Sequence, residues 1–468
     1  MVEPSPYRVA IVGAGPAGLF TAQHLVRQQQ VPVLIDIFDR LPTPFGLLRY
    51  GVAPDHTSIR SVARALAHTF DSTRVRFLGT VELGRDLTRR GLVEAYDAVV
   101  YAVGASGDLM LRVPGEELPG SGSARQFVAW YGGHPDAAPQ SLHGVRSVAC
   151  VGVGNVAVDV ARILAKDPAQ LAATDMPETV LAELTASAVT DIWIVGRRGP
   201  QYASYTTREL RELLTTPGLA VTIEDGAGEV AGTADDNPAE QAGLDRRTRA
   251  NLEALREAAA RPDPVPVRRR LHFLFWHRPV ALHGAARVER LELERTTLGP
   301  DGAVIPAGAV PSGGTRTIPV DLVLRAIGYR STRLPDVPFD DARGVIPNRE
   351  GRVLDTDGRA LPGEYVTGWI KRGATGVIGT NKADAAQTVA HLLEDLPTLP
   401  RHPADPLVEL RLHGVDPTTY DDWLAIDAAE IARGAALGRP RVKINAWAEL
   451  MRLCRSGDPD ACPDSHLY

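Results

Sequence analysis

Two glycine-rich turns, each between an apolar segment and a helical pattern, constrain this chain more than any other feature. The first turn follows Arg8–Val12, and the second follows Ser147–Val151. Each pattern predicts a β-strand, a tight turn and a helix N-terminus, where the backbone can approach a pyrophosphate and the helix dipole favours the anion. One such motif is weak evidence, but two in this context predict two bound dinucleotides. The turns read Gly13, Ala14, Gly15, Pro16, Ala17 and Gly18, and Gly152, Val153, Gly154, Asn155, Val156 and Ala157.

The residue at the end of the next strand indicates which nucleotide the first turn binds. A predicted helix over Leu19–Gln28 leads to a strand over Val33–Phe38, which ends in Asp39. An acid at this distance from the glycines binds the hydroxyls of an adenosine ribose. Asp36 is a rival, but it lies within the strand, so we favour Asp39. An unphosphorylated ribose suits FAD or NAD.

The second unit ends its corresponding strand differently. The predicted strand Asp191–Val195 runs into Gly196–Gly199, which carries Arg197 and Arg198 and no acid. Two guanidinium groups bind a 2′-phosphate through charge-assisted, forked hydrogen bonds, whereas a carboxylate would repel it. This arrangement predicts NADP(H), against the alternative of a solvated basic turn.

Length and charge narrow the class of protein. A chain of 468 residues is long enough for two or three domains, and its net charge of −6 argues against nucleic acid as a general partner. No apolar run approaches the roughly 20 residues that a membrane-spanning helix needs. The segment Met1–Pro6 enters the first predicted strand almost at once, which leaves no room for a targeting peptide. We therefore expect a cytoplasmic protein.

The three cysteines exclude several redox chemistries. Cys150 lies in a predicted buried strand, and Cys454 and Cys462 lie near the C-terminus. The absence of a C-x-x-C motif removes the dithiol chemistry of disulfide reductases, and three cysteines are too few for an iron–sulfur cluster or a structural zinc site. A Cys454–Cys462 disulfide is an open alternative. Electrons from a flavin must then leave for an acceptor outside the chain.

The order of strands predicts that one nucleotide-binding domain is inserted into the other. Tyr96–Ala105 and Asp321–Tyr329 both read as the last strand of a nucleotide unit, where the chain crosses to the other domain. We therefore predict an FAD-binding domain over residues 1–106 and 329–468 and an NADP-binding domain over residues 107–328. Within the insertion we expect a helix near Asp245–Ala260 with surface loop around it, strands in Leu271–Glu294 and a hairpin turn at Gly299–Gly302. The final 60 residues carry helical patterns that should pack on the first domain.

A third glycine-rich stretch runs from Tyr365 to Asn381. It predicts a strand, a turn and a helix over about Thr380–Leu393, whose N-terminus could stabilise negative charge on a reduced flavin. Trp369 is a candidate to stack near the ring system, and a plain turn with a core tryptophan is the alternative.

These blocks together resemble adrenodoxin reductase-type ferredoxin–NADP⁺ reductases, including actinobacterial members. The resemblance spans nearly the whole chain in family order and implies an α/β fold with two Rossmann-like domains, the NADP domain inserted in the FAD domain. The matching blocks are Gly13–Gly18, Leu41–His56, Pro114–Gly120, Phe127–Tyr131, Gly152–Arg162, Val195–Pro200, Gly368–Lys382 and Gly438–Lys443.

The resemblance implies electron transfer from NADPH through FAD to a ferredoxin-type iron–sulfur protein, which in turn could supply a cytochrome P450. It implies a polar pair near the nicotinamide, His56 and Glu212, for which we expect a positional role rather than acid–base catalysis; ordering the turn at Pro54 and Asp55 is the alternative for His56. Implied FAD contacts are Ala14, Asp39, Leu47, Val81, Trp369, Gly376, Val377 and Ile378. Implied NADP contacts are Val153, Gly154, Asn155, Val156, Arg197, Arg198, Glu209 and Gly376.

The chain departs from the family pattern at several of these positions. The family usually has Glu in place of Asp39 and Gln or Asn in place of Val153, which removes a polar contact from the second turn. Tyr205 stands where the family has Phe. The segment Phe275–Pro279 replaces smaller polar residues, which either tunes partner choice or reflects surface drift.

Two other functions remain open at this stage. One is an NADPH diaphorase that reduces quinones or oxygen without a protein partner, and the other is a non-catalytic NADPH-binding module, which the flavin signatures disfavour.

An acidic ferredoxin would need a local basic face on this acidic chain. Candidate basic clusters are Arg268 to Arg270, Arg208 with Arg211, and Arg439 with Arg441.

Overall fold

The computed structural model of the protein describes residues 5–56, 59–225, 243–307, 315–402, 404–412 and 414–455. Contacts between residues divide them into two compact units. Unit 1 contains the described residues of Met1–Val52, His56–Asp108 and Tyr329–Tyr468, and unit 2 contains Ala53–Asp55 and the described residues of Leu109–Gly328. Within these described ranges, no helix combines the length and the apolar character that crossing a membrane requires.

Unit 1 is built on a seven-stranded sheet. Tyr7–Val12 pairs in parallel with Val33–Phe38 on one side and with Ala98–Tyr101 on the other. The glycine turn follows the C-terminal end of this strand, and the neighbouring strands run parallel to it. The turn therefore lies at the carboxyl edge of the sheet, where open α/β sheets bind ligands. Across the sheet the strands are Asn348–Arg349, Arg352–Leu354, Ala360–Val366, Ala98–Tyr101, Tyr7–Val12, Val33–Phe38 and Val75–Leu78.

The helices of unit 1 cover both faces of this sheet. Trp423, Ile426 and Leu450 from the C-terminal helices share one buried cluster with Val9 and Leu19, which confirms that the last part of the chain packs on the first unit. A short ribbon pairs Gly107–Asp108 with Tyr329–Arg330. The α-helices are Pro16–Arg27, Leu47–Tyr50, Ile59–Ala67, Arg89–Ala95, Trp369–Arg372, Ile378–Asp395, Pro406–Leu412, Tyr420–Ala436 and Trp447–Arg455, with 3₁₀ turns at His68–Asp71 and Leu396–Thr398.

Unit 2 contains a six-stranded sheet in which every strand pair is parallel. Parallel sheets are covered on both faces, so their strands are almost continuously apolar. Accordingly Val148, Cys150, Ile192 and Ile194 are fully buried. The strands in order are Ser121–Ser123, Leu322–Arg325, Ser147–Val151, Asp191–Val195, Arg269–Leu274 and Leu219–Glu224.

A smaller antiparallel sheet completes unit 2. The predicted hairpin turn is confirmed: Gly302 N donates to Gly299 O at 2.9 Å, between strands that pair antiparallel. The predicted helix is also confirmed at Arg246–Ala259, while residues 226–242 of the expected loop lie outside the described residues. The small sheet comprises His277–His283, Arg290–Leu298, Val304–Pro306 and Arg316–Pro319. The remaining helices are Ala124–Tyr131, Asn155–Ala165, Pro168–Leu171, Glu178–Ala186 and Thr207–Leu214, with a 3₁₀ turn at Pro200–Tyr202.

Candidate functional site

The first glycine turn connects Tyr7–Val12 to the helix Pro16–Arg27 in a conformation that depends on glycine. Gly13 has φ +113°, and a Cβ atom there would lie 2.6 Å from Ala102 O. At Gly15, by contrast, an added Cβ would meet nothing within 4 Å. Gly15 caps the helix without a side-chain hydrogen bond, so the first N–H groups of the helix are left for an anion.

Asp39, and not Asp36, lies beside this turn. The Asp39 carboxylate accepts hydrogen bonds from Ala14 N at 2.9 Å and Leu41 N at 3.0 Å. Burial raises the pKa of Asp39 above its ordinary value, although these backbone N–H groups oppose the shift. The rival Asp36 is occupied by Arg76, whose Nε donates to it at 2.6 Å. Asp39 therefore keeps acceptor capacity next to the glycines, and Asp36 does not.

The segment that carries Leu47 packs directly on the glycine turn. Phe45 N donates to Ala14 O at 2.9 Å, and a Cβ atom at Gly46 would lie 2.9 Å from Gly15 Cα. Leu47 begins the next short helix and is 37% exposed, which leaves its side chain available to a ligand. The other predicted contact in this region, Val81, is buried, and its N–H donates to Asp39 O at 3.0 Å.

The third glycine-rich stretch also meets the first turn. Gly368 has φ +77°, and a Cβ atom there would lie 2.6 Å from Ala17 Cβ. After the helix Trp369–Arg372, Gly376 adopts φ +82°, and the long helix begins at Ile378. Val377 is exposed at the start of that helix. The structure thus brings this helix start into the same unit as Gly13–Gly18 and Asp39.

Trp369 is held in place by its own turn. Its Nε1 donates to Thr375 O at 3.1 Å, and its ring lies 5.3 Å from the ring of Tyr329. One side of the indole is therefore fixed by protein contacts, and the structure leaves the stacking role of Trp369 as a prediction.

Asp384 organises this stretch, and sequence reasoning missed it. Its carboxylate accepts from Gly368 N at 2.6 Å and lies 2.8 Å from Lys371 Nζ and 2.9 Å from Arg372 Nη1. Its sequence signal is the pair of adjacent basic residues Lys371 and Arg372 in the short helix after a buried strand, which requires a nearby counter-charge.

A buried ion pair, also missed, anchors the Leu47 segment to a C-terminal helix. Arg49 donates to both carboxylate oxygens of Glu430, at 3.0 and 2.5 Å, and both side chains are nearly inaccessible. Ile444 N donates to the same carboxylate at 2.8 Å. Burial opposes the charge of Arg49, but the attraction of Glu430 prevails and raises the pKa of Arg49.

The second glycine turn has the same design in unit 2. Gly152 has φ +133°, and a Cβ atom there would lie 2.3 Å from Ala326 O. Gly154 caps the helix that begins at Asn155, and Asn155 Oδ1 accepts from Thr206 N at 2.8 Å. Val156 lies in the first turn of this helix.

Val153 packs on the next turn rather than offering a polar group. A Cβ atom at Gly196 would lie 2.7 Å from Val153 Cγ1. Ser204 N donates to Val153 O at 2.9 Å, so the loop after the arginine pair folds back on the glycine turn. The apolar side chain that departs from the family pattern thus fills a close contact.

The arginine pair lies at the carboxyl end of Asp191–Val195. Arg197 is exposed, and its carbonyl accepts from Thr296 Oγ1 at 2.9 Å. The Arg198 guanidinium lies 5.6 Å from the centre of the Tyr202 ring. Both backbones are anchored while the cationic groups are left for a ligand.

Three further predicted residues are placed as follows. Glu209 lies in the helix Thr207–Leu214, and among the described residues its buried Oε2 has no hydrogen-bond partner. Glu212, on the same helix, accepts from Arg208 Nε at 2.9 Å. His56 is buried and belongs to unit 1, whereas Glu212 belongs to unit 2. Whether His56 and Glu212 act together stays a prediction.

The cysteines described by the structure carry no disulfide. Cys150 is buried, as predicted, and burial raises the pKa of its thiol to about 12, so the thiol stays protonated at neutral pH. Cys454 is also free, and Cys462 lies outside the described residues.

Comparison with known proteins gives one consistent family. Residues 7–235 match the model of the pyridine nucleotide-disulphide oxidoreductases. The chain is 42% identical over 464 residues to NADPH-ferredoxin reductase FprA of Mycobacterium tuberculosis, covering 96% of this chain and 99% of the relative. It is 40% identical over 474 residues to human mitochondrial NADPH:adrenodoxin oxidoreductase, covering 95% and 91%. The solved structure of M. tuberculosis FprA in complex with NADPH matches with a TM-score of 0.88 at 40% identity, covering 96% and 99%.

Proposed function

The chain belongs to the pyridine nucleotide-disulphide oxidoreductases and, within them, to the NADPH-ferredoxin and adrenodoxin reductases, and from this premise we propose that it passes electrons from NADPH through FAD to a ferredoxin-type iron–sulfur protein. The observation that carries the proposal is the 42% identity to NADPH-ferredoxin reductase FprA of M. tuberculosis over 96% of the chain. A glycine turn of the nucleotide-binding type in each unit supports it. A bound flavin supplies exchange between a two-electron donor and one-electron acceptors.

We assign FAD to unit 1. Asp39 offers carboxylate acceptors to ribose hydroxyls beside the open face of Gly15. The segment of Leu47 meets this turn through Gly46, and Gly368, in the stretch that leads to the helix beginning at Ile378, meets Ala17 of the same turn. An N-terminus of a long helix favours negative charge, as a reduced flavin requires. The residues proposed to hold FAD are those of Gly13–Gly18, Asp39, Leu47, Val81, Trp369 and Gly376 to Ile378.

We assign NADP(H) to unit 2. Arg197 and Arg198 provide the cationic groups for the 2′-phosphate, and the turn Gly152–Val156 provides N–H groups for the pyrophosphate. Glu209 carries an acceptor without a partner in the described structure, which suits a ligand hydroxyl or amide. His56 and Glu212 are proposed to shape the nicotinamide site by position rather than by proton transfer.

The arginine assignment is tested by cofactor preference. Charge-assisted hydrogen bonds contribute roughly 1.5–3 kcal/mol each, and exposure lowers that figure, so we expect a preference for NADPH over NADH of about ten- to a thousandfold. Replacing Arg197 and Arg198 by Ala should raise KM for NADPH and spare NADH. Arg290→Ala, an exposed arginine on another strand of unit 2, is the matched control and should change neither. Equal losses with both cofactors would refute the assignment.

The protein partner is tested by salt dependence. The purified protein should carry extractable FAD, and its reduction of a ferredoxin from the same cell should fall as salt shortens the Debye length from about 10 Å at 0.1 M to about 3 Å at 1 M. Reduction of ferricyanide by the same sample measures flavin reduction without the partner. Flat salt dependence, or no activity with any ferredoxin, favours the diaphorase alternative. A colourless protein that binds NADPH favours a binding module.

We further propose a cytoplasmic location, which rests on the sequence alone. The bacterial relative carries no location in its name, whereas the mammalian relatives are named mitochondrial. Fractionation of the native cells with antibody detection tests it.

A further inference from the structure

Trp276 adopts a backbone conformation that bulky residues rarely occupy. It lies between the strands Arg269–Leu274 and His277–His283, with φ +57°. Such a conformation persists only where the surroundings fix it, and it is frequent at ligand-binding positions. Here two backbone hydrogen bonds fix it: Trp276 N donates to Arg198 O at 3.3 Å, and Thr296 N donates to Trp276 O at 2.8 Å.

The indole of Trp276 belongs to the surroundings of the arginine pair. Its ring lies 6.1 Å from the ring of Tyr202, in an edge-to-face arrangement with an interplanar angle of 78°. The guanidinium of Arg198 lies 5.6 Å from the centre of the same Tyr202 ring. We call Arg198, Tyr202 and Trp276 the aromatic corner. Tyr202 is its exposed member, at 44%.

Two hydrogen-bond donors of the aromatic corner are buried without an acceptor. Trp276 Nε1 and Arg198 Nε have no partner among the described residues. A buried donor left unpaired is unfavourable, so an acceptor supplied by a ligand would be favoured. Trp193 shows the ordinary arrangement in the same unit, since its Nε1 donates to Ser147 Oγ at 3.2 Å.

Both unpaired groups can only donate, so a ligand that engages either of them must offer an acceptor. A phosphate monoester presents only acceptor oxygens at neutral pH, and it carries the charge that Arg198 requires. Arg198 and Tyr202 follow the strand Asp191–Val195, where the second ribose is expected, and Trp276 follows the strand Arg269–Leu274 that pairs with it.

We propose that Trp276 is a further determinant of NADPH binding, and that its indole N–H donates to the 2′-phosphate beside Arg197 and Arg198. The inference rests on the proposed function and extends it to a residue outside the arginine pair. Because both donors are buried, the proposal requires the exposed Tyr202 ring to give up its edge contact with Trp276 when the phosphate binds.

The test compares Trp276→Phe with Trp193→Phe as the matched control. Ferricyanide reduction is measured with NADPH and with NADH. A hydrogen bond to a charged acceptor should raise the affinity for NADPH by about tenfold. Trp276→Phe should therefore lower kcat/KM for NADPH by about tenfold through a higher KM, and it should leave kcat/KM for NADH unchanged. Trp193→Phe should leave the ratio of the two cofactors unchanged. An unaltered ratio in Trp276→Phe overturns the inference.

A second variant guards against failure to fold. Glycine adopts φ +57° without strain, so Trp276→Gly removes the indole while relieving the backbone. It should fold and show the same loss with NADPH. Retained NADPH preference in folded Trp276→Gly also overturns the inference.

Binding of nucleotide fragments separates this inference from the proposed function. Adenosine 2′,5′-bisphosphate should bind the wild-type protein about tenfold more tightly than it binds Trp276→Phe, whereas 5′-AMP should not distinguish them. If the wild-type protein fails to oxidise NADPH, the proposed function fails, and the fragment titration still decides the role of Trp276. If the wild-type protein prefers NADPH and both variants keep that preference, only the inference fails.

Discussion

Removing Glu430 should destabilise unit 1 far more than removing an acid from an exposed ion pair of similar length. In Glu430→Ala, the guanidinium of Arg49 would stay buried without its carboxylate, and Ile444 N would lose its acceptor. Breaking a buried pair in this way costs about 3–5 kcal/mol. The exposed pair of Arg90 and Glu94 has an N···O distance of 2.7 Å, yet solvent-screened pairs of this kind contribute very little to stability.

These energies translate into separable thermal shifts. For a domain of 150–250 residues, 1 kcal/mol lowers Tm by about 2–4 °C. Glu430→Ala should therefore lower Tm by about 6–20 °C, and Glu94→Ala by no more than about 2 °C. Thermal unfolding followed by circular dichroism measures both. On the proposed assignment of FAD to unit 1, release of flavin fluorescence also reports this unit, because the Leu47 segment held by Arg49 packs on the glycine turn.

A double variant tests the physical reason for the shift. Replacing Arg49 and Glu430 together by Leu removes the buried charge along with its partner, so it should cost less than Glu430→Ala alone. The ring contacts of the Arg49 guanidinium, 4.9 Å to Tyr50 and 4.8 Å to Trp423, are lost in the double variant as well. A Glu430→Ala shift as small as that of Glu94→Ala would refute the reasoning, as would a double variant less stable than the single one.

Two further predictions concern the first glycine turn and acid stability. Gly13→Ala should destabilise the apoprotein by at least about 1–3 kcal/mol, because φ +113° and the Ala102 carbonyl both oppose a Cβ atom. Gly15→Ala should keep the Tm of the apoprotein but weaken FAD binding, because a Cβ atom at Gly15 meets only open space. Thermal unfolding and a flavin titration of both variants measure the two effects. Hydrogen bonds from Arg76 lower the pKa of Asp405 from 3.8 to about 2, so the pair stabilises the fold above about pH 4 and loses that contribution as the pH falls towards 2. Asp405→Asn should reduce the acid loss of unfolding free energy over that range by up to about 1 kcal/mol, a small figure because both groups are partly exposed, so Tm should fall less steeply with pH; an unchanged acid profile would contradict it.

The strands could be predicted because burial imposes a simple pattern on them. Val33–Phe38, Ser147–Val151 and Asp191–Val195 have the bounds read from the sequence. Buried parallel strands are short apolar runs, and a polar or glycine residue ends each run. The family inferred from the order of the motifs is confirmed by the relatives of the chain.

Helix starts and long-range pairs were harder to predict. The first helix begins at Pro16 rather than Leu19, since proline is tolerated in the first turn, where its missing N–H needs no partner. Arg49 and Glu430 are separated by 381 positions, and nothing near either residue indicates the other. Asp39 could be preferred over Asp36 by position, but only the structure shows that Arg76 occupies Asp36. The ligand roles of the predicted site residues stay proposals.

The two units use one backbone design with opposite side-chain chemistry at the end of the following strand. In unit 1, two backbone N–H groups hold the Asp39 carboxylate, and its remaining lone pairs can accept from hydroxyl donors. In unit 2, the backbones of Arg197 and Arg198 are fixed by strand contacts, and their side chains can only donate, which matches the acceptor oxygens of a phosphate. On the proposed assignment, a glycine turn fixes where each pyrophosphate binds, and the hydrogen-bonding polarity of one strand end selects a bare ribose in unit 1 and a phosphorylated ribose in unit 2.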